Sequence, residues 1–381
     1  MDKQKRNLDS RGNFRWLSTG AIAIREMLLA IAAAKTSIRL ETYIFQPGPL
    51  GGEFRGALAK AARSGVKVRI LTDAYGSSGL TADFWKELTS AGGECRRFTL
   101  PGWGRFGLRD HRKIMVCDEA VAFITSSNIG PQYDGDGVEA GWRDLGLHVR
   151  GAMAGKLAAA FDEMFGLAGF KHPRFAWLRH AVRQHRIVTT QGEALLSAPG
   201  WRDHTMAPTL LKDFAQARII RVLCAYFLPT RRVLKALVGA ARRGARVQLV
   251  LAGKTDVPLM QKAARGLYRG LLQAGVEIFE YQPQILHAKM ILVDDRVVYA
   301  GSANLDIRSL KLNYELLIRT EDRRLALEGA ALFAHDLTHC RRVHLNAWIQ
   351  KRWWWHRCQA RLAHFLLARV DPFLASDSWR R

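Results

Sequence analysis

The sequence has few acidic residues, few cysteines and no long apolar run. Its 381 residues include 34 Asp and Glu against 58 Lys and Arg, a formal net charge of +24 at pH 7. Such an excess attracts polyanions, either nucleic acid or an anionic membrane surface, and charge alone does not separate the two. The five cysteines are scattered, with no spacing typical of a zinc site or a redox pair, so we expect reduced thiols.

Membrane-spanning and secretory segments are also lacking. The longest plainly apolar run, residues 27–34, is well below the ~20 residues that a spanning helix needs. The first residues contain no apolar stretch of the kind that forms a secretory signal. We therefore expect neither a membrane span nor export by that route. The length is sufficient for two globular domains, each with its own core.

The most informative feature that is present is a motif that occurs twice. Residues 111–128 and 287–304 both follow the pattern H-x-K-x4-D-x6-[GT]-S-x-N, without an insertion. Alternate side chains of a strand share a face, so each His lies beside its Lys, and each Ser beside its Asn on the returning strand. Asp118 and Asp294 belong to the signature and to our catalytic set, although their position at a hairpin turn favours a structural role. The groups brought together are His111, Lys113, Ser126, Asn128, His287, Lys289, Ser302 and Asn304.

These residue types suit the transfer of a phosphodiester group. A neutral histidine can attack phosphorus and a protonated one can release an alkoxide, so two histidines permit a covalent phosphohistidine route. The lysines neutralise the charge on the phosphate oxygens, and Ser and Asn donate hydrogen bonds to them. The sequence contains no carboxylate cluster with the spacing of metal ligands. We therefore expect no metal and no other cofactor.

Two further carboxylates are candidates for orienting the histidines. Asp144 follows His111 in the first half, and Glu315 follows His287 in the second. Each precedes or begins an apolar, strand-like segment, where an unpaired carboxylate is costly. A carboxylate on the second ring nitrogen fixes the tautomer of a histidine, so we interpret these residues as histidine-orienting. Unrelated structural ion pairs are the alternative.

The repeat extends beyond the signatures and predicts an α/β fold. Each half reads as strand, helix, strand, helix and then the signature hairpin, with short Gly turns. Two such units indicate a pseudo-twofold molecule. The predicted organisation is a first domain over 1–170, a basic linker over 171–186, a second domain over 187–340 and a basic, Trp- and Arg-rich helical segment over 341–381.

The paired motif resembles the phospholipase D superfamily over about residues 15–345, and the flanking segments are similar to bacterial cardiolipin synthases, in their short form without N-terminal membrane helices. The matching segments include LETYIF, RDHRKIMVCDEAVAFITSSNIG and GSANLDIRSLKLNYEL. Within the last one, Asn-Leu-Asp-x-Arg-Ser is more typical of lipid-synthesising members than of nucleases. One departure is Thr125-Ser126-Ser127, where the family often has Gly-Gly before the Asn.

The resemblance implies a fold and an activity. The fold is two α/β/α domains, each with a mixed, mostly parallel sheet flanked by helices, around one shared active site. The activity is that of a phosphatidyltransferase. His111 attacks one phosphatidylglycerol while His287 protonates the departing glycerol, and the headgroup of a second phosphatidylglycerol then accepts the phosphatidyl group.

The expected partner is therefore anionic phospholipid at the cytoplasmic side of the cell membrane, with peripheral attachment through the basic segment 341–381 and no nucleic acid. A helix packed on the second domain is the alternative for that segment. Three other functions stay open: a nucleic-acid phosphodiesterase, a non-catalytic lipid-binding relative, and hydrolysis or headgroup exchange on phospholipid.

Overall fold

Each half of the chain forms one mixed β-sheet with helices packed on it. The computed structural model describes residues 13–99, 107–168, 186–198 and 205–350, with a few positions between 359 and 367. In this part of the chain, the elements of the first half are β1 (Phe14–Leu17), α1 (Gly20–Ala33), β2 (Ser37–Thr42), α2 (Pro49–Arg63), β3 (Lys67–Asp73), α3 (Lys86–Ser90), β4 (Glu94–Phe98), β5 (Ile114–Cys117), β6 (Val121–Thr125), β7 (Gly146–Arg150) and α4 (Ala152–Ala168).

The second half repeats this series with additions at both ends. Its elements are β8 (Arg186–Thr189), β9 (Gly192–Ser197), α5 (Met206–Ala215), β10 (Ile219–Cys224), β11 (Phe227–Leu228), α6 (Arg231–Arg242), β12 (Arg246–Ala252), α7 (Pro258–Gln273), β13 (Glu277–Tyr281), β14 (Lys289–Val293), β15 (Val297–Gly301), β16 (Leu305–Asp306), α8 (Ile307–Lys311), β17 (Glu315–Glu321), α9 (Arg323–Thr338), β18 (Cys340–Val343) and α10 (Leu345–Gln350).

The two sheets have the same strand order. In the described residues, the first sheet runs β1-β7-β6-β5-β2-β3-β4 and the second runs β18-β13-β12-β10-β14-β15-β17-β9-β8. The series β7-β6-β5-β2-β3-β4 corresponds strand by strand to β17-β15-β14-β10-β12-β13. The α/β prediction with mixed sheets is confirmed, and the equivalent orders are those of a pseudo-twofold repeat.

The expected predominance of parallel pairs is wrong. Parallel pairing joins β2 to β3 and β3 to β4, and likewise β10 to β12 and β12 to β13. The remaining neighbours in both described sheets are antiparallel. The physical reason is the signature itself, because each copy folds as a tight hairpin, β5–β6 or β14–β15, whose strands must be antiparallel.

The helix ends follow the local sequence. Thr19 and Thr230 accept hydrogen bonds from backbone N–H groups in the first turns of α1 and α6. Gly65 and Gly244, after α2 and α6, have φ values of 87° and 93°, a conformation that glycine adopts without strain. The predicted Gly stops therefore fall at the expected places.

A central core joins the inner faces of both sheets with α4 and α9. Its apolar members include Ile124 and Leu147 from the first sheet and Leu292 and Ile318 from the second. Separate cores lie under α1 and α2 in the first half and under α5, α6 and α7 in the second. Because the central core is shared, it fixes the two signature hairpins relative to each other.

A buried ion pair also crosses between the halves. Arg143, which precedes β7, donates from Nε and Nη2 to the carboxylate of Asp336 in α9, at 2.7 and 2.9 Å. Both side chains are almost fully buried. Arg143 also donates to the carbonyl oxygens of Ser18 and Asp144, at 2.6 Å each. The segment that carries Asp144 is thereby held against the second half.

The predicted C-terminal helical segment, 341–381, begins as a strand. Strand β18 pairs antiparallel with β13, and Arg341 donates to the buried carboxylate of Glu280 at 2.7 Å. Since β13 would otherwise be an open edge that carries the buried acid Glu280, pairing here is favoured over helix. Helix α10 follows; most of 351–381, and nearly all of the predicted linker 171–186, lie outside the described residues.

None of the helices in the described ranges is both long enough and apolar enough to cross a bilayer. The cysteines of the same ranges, Cys95, Cys117, Cys224 and Cys340, are free thiols, in agreement with the expectation from their spacing.

Candidate active site

Each signature histidine lies at the contact between the two halves. The backbone N–H of His111 donates to the carbonyl oxygen of Tyr314 at 2.9 Å, and that of His287 donates to the carbonyl oxygen of Arg143 at 2.8 Å. Both contacts sit next to short parallel bridges between the halves. The segment entering each signature strand therefore runs along the segment that carries the carboxylate of the other half.

The histidine–carboxylate pairs consequently cross between the halves. His111 Nδ1 lies 2.9 and 3.0 Å from the two carboxylate oxygens of Glu315, and His287 Nδ1 lies 2.8 Å from Oδ2 of Asp144. The structure thus brings both predicted carboxylates to the histidines. The pairing by sequence order, each carboxylate with the histidine of its own half, is wrong. With Nδ1 engaged, each ring presents Nε2 to a substrate.

Burial and neighbouring charge set the ionisation of these groups. Burial lowers the pKa of His111 and of His287, and the nearby lysines lower it further, against the opposing effect of Glu315 and Asp144. Burial alone would raise the pKa of each carboxylate, but the adjacent histidine holds it below its usual value. At neutral pH the resting site therefore pairs neutral imidazoles with ionised carboxylates.

The two lysines lie within the same buried cluster. Lys113 Nζ donates to the carbonyl oxygen of His111 at 2.8 Å, and Lys289 Nζ donates to that of His287 at 2.5 Å. Burial, together with the charge of the opposite lysine, lowers the pKa of Lys113 to about 7, and burial also lowers the pKa of Lys289. An anion bound between them would relieve this destabilisation and raise both pKa values.

The two serines contact the carboxylates. Ser126 Oγ donates to Asp144 and lies 2.8 Å from the carbonyl oxygen of Leu145. Ser302 Oγ donates to Glu315 at 2.5 Å. In this structure both hydroxyls are therefore bonded to the carboxylates, and their contact with phosphate oxygens stays a prediction. Each serine follows the return strand of its hairpin. The adjacent segment of the sheet carries the carboxylate, so the serine hydroxyl contacts that carboxylate.

The two asparagines differ in their contacts. Asn128 Oδ1 accepts from the backbone N–H of Ile44 at 3.1 Å, and its Nδ2 donates to the hydroxyl of Tyr133 at 2.8 Å. Asn304 Oδ1 accepts from the backbone N–H of Tyr226 at 3.3 Å. Among the described residues, Asn304 Nδ2 donates to no protein acceptor. That amide is thus available for the phosphate role that the sequence suggests for both.

Asp118 and Asp294 lie at the far ends of β5 and β14 from the histidines. Both have left-handed backbone conformations, with φ of 55° and 53°, as the hairpin turn requires. The Asp118 carboxylate accepts from the backbone N–H groups of residues 35–37, and Asp294 Oδ1 accepts from those of Arg218 and Ile219, at 2.8 Å each. Their inclusion in the catalytic set is wrong, since a whole strand separates each from its histidine.

Aromatic residues that the sequence reasoning missed surround the histidines. The Tyr43 ring meets the His111 ring edge-on, with centroids 4.9 Å apart. The rings of Tyr133 and Trp142 lie 5.4 and 5.5 Å from that of His287. The signal available was position, because Tyr43 directly follows β2, the strand that pairs with the first strand of the signature hairpin.

The described residues contain no group of three or more His, Cys, Asp or Glu placed to hold a metal ion.

Known proteins resemble this chain over most of its length. The family described as cardiolipin synthase, PLD-like domain, matches residues 27–148 and 210–337, one match in each half. Cardiolipin synthase B of Escherichia coli is 35% identical over 378 residues, which cover 90% of this chain and 89% of that protein. Cardiolipin synthase 1 of Bacillus anthracis is 32% identical over 376 residues, covering 96% and 73% respectively.

The fold is shared more widely. A crystal structure of phosphatidylserine synthase from Haemophilus influenzae superimposes with a TM-score of 0.75 over 95% of both chains, at 12% identity. At that identity the likeness concerns the fold alone. The duplicated signature, the two family matches and the full-length relatives lead to one conclusion: this chain belongs to the cardiolipin synthase family of proteins with two phospholipase D-like domains.

Proposed function

We propose that the protein transfers a phosphatidyl group from one phosphatidylglycerol to the headgroup of another, releasing glycerol through a phosphatidyl-histidine intermediate. The observation that carries the proposal is the crossed pair of histidine–carboxylate contacts, with a buried lysine beside each histidine. Membership of the cardiolipin synthase family supports phospholipid as the substrate.

In the first step His111 is the nucleophile. Its Nδ1–H donates to Glu315, so the lone pair of Nε2 attacks phosphorus. The bond from phosphorus to the glycerol oxygen breaks as the bond to Nε2 forms. Lys113 and Lys289 neutralise the charge on the phosphate oxygens. The 13% exposure of the His111 side chain, against 6% for His287, supports it as the residue that substrate reaches first.

His287 supplies the proton to the departing glycerol. Its pKa is lowered in the empty site, but an anionic phosphodiester bound beside it would raise that pKa and favour the protonated acid. Asp144 then stabilises the imidazolium through Nδ1. After the glycerol leaves, His287 is neutral again and able to act as a base.

The second step reverses the first with a different alcohol. His287 Nε2 takes the proton from the headgroup hydroxyl of a second phosphatidylglycerol while that oxygen attacks the phosphorus. The bond from phosphorus to His111 breaks, and His111 is regenerated. The net reaction converts two phosphatidylglycerols into one cardiolipin and one glycerol, with no oxidant and no reactant other than phosphatidylglycerol.

Access to lipid follows from charge. A net charge of +24 favours binding to an anionic membrane surface, and we assign the protein to the cytoplasmic side as a peripheral protein. Two described positions near the C terminus, Leu362 and Phe365, are exposed apolar side chains that suit contact with lipid. Flotation with phosphatidylglycerol vesicles should be strong and weakened by salt. Equal binding to phosphatidylcholine vesicles would contradict this.

The decisive assay uses phosphatidylglycerol vesicles and purified protein without added metal. Cardiolipin and glycerol in equal amounts are expected, and a His335→Ala variant, altered on an exposed face of α9, should match the unchanged protein. Phosphatidic acid as the sole lipid product would identify a hydrolase instead. Absence of any lipid reaction, together with cleavage of DNA or RNA, would contradict the proposal.

A further inference from the structure

An arginine lies beside His111 at the mouth of the site. Arg109 Nη1 donates to the hydroxyl of Tyr43 at 3.1 Å, and its guanidinium lies 4.2 Å from the centroid of the Tyr75 ring. Tyr75 is 51% exposed, so this side of the site reaches the surface. Tyr43 in turn contacts the His111 ring. A ligand group at Arg109 would therefore be adjacent to the reacting centre.

A second arginine reaches the same place from the other half. Arg308 belongs to the Asn-Leu-Asp-x-Arg-Ser motif. The proposed chemistry gives Arg308 itself no role. Its Nη2 donates to the carbonyl oxygen of Gly107 at 2.6 Å, close to Arg109 along the chain. Burial raises the pKa of Tyr43 to about 12, and the charges of both arginines oppose that rise, which places both near the Tyr43 hydroxyl.

The charge of Arg109 is not taken up by an ion pair with any carboxylate of the described residues. Its Nε is buried without a hydrogen-bond acceptor there. Asp73 is the acid that interacts with it electrostatically, but the Asp73 oxygens accept from the backbone N–H groups of Tyr75, Gly76 and Asp110, at 2.9 Å each. The geometry thus leaves a guanidinium with unused donors next to the site.

The opposite side of the site has the opposite charge. Tyr226, which follows β10, donates its hydroxyl to the carboxylate of Asp256, at 2.7 Å from both oxygens. Asp256 also interacts electrostatically with Lys289 and Tyr133. A second anion entering the site is therefore repelled from this side and attracted to the side of Arg109.

We propose that Arg109 and Arg308, with Tyr43, form a second phosphate subsite that binds the phosphodiester group of the acceptor phospholipid. The inference rests on the proposed transfer between two phosphatidylglycerols. The acceptor's phosphate is one glycerol unit from its attacking hydroxyl, and its acyl chains must leave through the mouth towards the membrane. The planar guanidinium suits a phosphodiester because it donates two parallel hydrogen bonds.

The test compares how the phosphatidyl-enzyme is divided between acceptors. Arg109→Gln and Arg308→Gln are incubated with phosphatidylglycerol vesicles containing ethanol, and glycerol, cardiolipin, phosphatidylethanol and phosphatidic acid are measured. Loss of a charge-assisted contact should lower the ratio of cardiolipin to released glycerol by about tenfold or more. Ethanol and water carry no phosphate, so they should accept the phosphatidyl groups that no longer form cardiolipin. Glycerol release should therefore persist.

Arg296→Gln is the matched control, because it removes one positive charge at an exposed hairpin turn of the second half. It should leave the product ratio unchanged. A parallel fall of glycerol and cardiolipin in Arg109→Gln would assign Arg109 to the chemical step or to folding and overturn the subsite. If the unchanged protein releases glycerol but makes no cardiolipin, the proposed transferase function fails, and the subsite with it.

Discussion

The two halves are alike around the reacting phosphorus and unlike at the rim of the site. Each contributes a histidine before a strand, a lysine that donates to the backbone of that histidine, and a carboxylate held by a serine. Outside this set, the first half places Arg109 at the hydroxyl of Tyr43, whereas the second half places Asp256 at the hydroxyl of Tyr226. Under the proposed function, the shared residues perform the chemistry and the unlike rims separate the two substrate positions.

The comparison also explains why there is one site rather than two. Glu315 belongs to the second half but contacts His111, and Asp144 belongs to the first half but contacts His287. Neither half alone contains a histidine with its carboxylate. The shared core and the Arg143–Asp336 ion pair keep the crossed contacts in register.

The largest expected effect comes from removing either histidine. His111→Ala and His287→Ala should each lower kcat for cardiolipin formation by at least about 10⁴-fold, because both steps need a nucleophile and an acid or base. Steady-state assays with phosphatidylglycerol vesicles measure this. A variant that keeps a tenth of the activity would show that the two histidines are not both required.

Neutralising the carboxylates tests the crossing directly. Glu315→Gln and Asp144→Asn should each lower kcat by at least about a hundredfold, since the tautomer of the paired histidine is no longer fixed. Nitrogen NMR of labelled histidine should show the tautomer of His111 altered by Glu315→Gln, and that of His287 by Asp144→Asn. The reverse assignment would show that each carboxylate serves its own half in solution.

The acidity of Lys113 predicts a pH dependence. Its pKa is lowered to about 7 in the empty site, so the lysine is charged below that pH and neutral above it. Values of kcat/KM, which report the free enzyme, should fall about tenfold per pH unit above pH 7. Lys113→Arg keeps its charge and should move the fall to higher pH. A flat profile up to pH 9 for the unchanged protein would contradict this.

The smallest effects are expected at the hairpin turns, where the aspartates of the two halves accept different numbers of hydrogen bonds. Asp118 also accepts from the Thr36 hydroxyl at 2.8 Å, beyond its backbone contacts, whereas Asp294 accepts from two backbone groups. Asp118→Asn should lower the free energy of unfolding by about 1–2 kcal/mol, and Asp294→Asn by less. Urea denaturation measures both. A large loss of kcat without loss of stability would restore these residues to the catalytic set.

Much of the fold could be predicted because its signals are local. The Gly turns, the hairpins and the strand–helix alternation each depend on a few adjacent residues, and two copies of the pattern confirmed one another. The proportion of antiparallel pairs and the edge strand β18 could not be predicted, since strand pairing depends on partners distant in the chain. Arg341, for example, lies opposite Glu280, a buried acid of the neighbouring strand β13 that is 61 residues away in the chain.

The candidate site divides in the same way. The histidines, lysines and carboxylates were identifiable as residue types, because spacing places them on shared faces. The sequence could not show which carboxylate contacts which histidine, because that depends on how the two halves pack against each other. The contacts of the serines could not be predicted for a related reason, since only the folded sheet shows that Ser126 and Ser302 donate to Asp144 and Glu315.

The central claim, a phosphatidyl group carried on His111 and released with the help of His287, has one direct measurement. His287→Ala is mixed with phosphatidylglycerol vesicles, quenched under alkaline conditions that preserve phosphohistidine, and analysed by mass spectrometry of the protein and its peptides. The account predicts a phosphatidyl adduct on the peptide containing His111, and none in His111→Ala. An adduct on His287 in the His111→Ala protein would reverse the two roles and contradict the account.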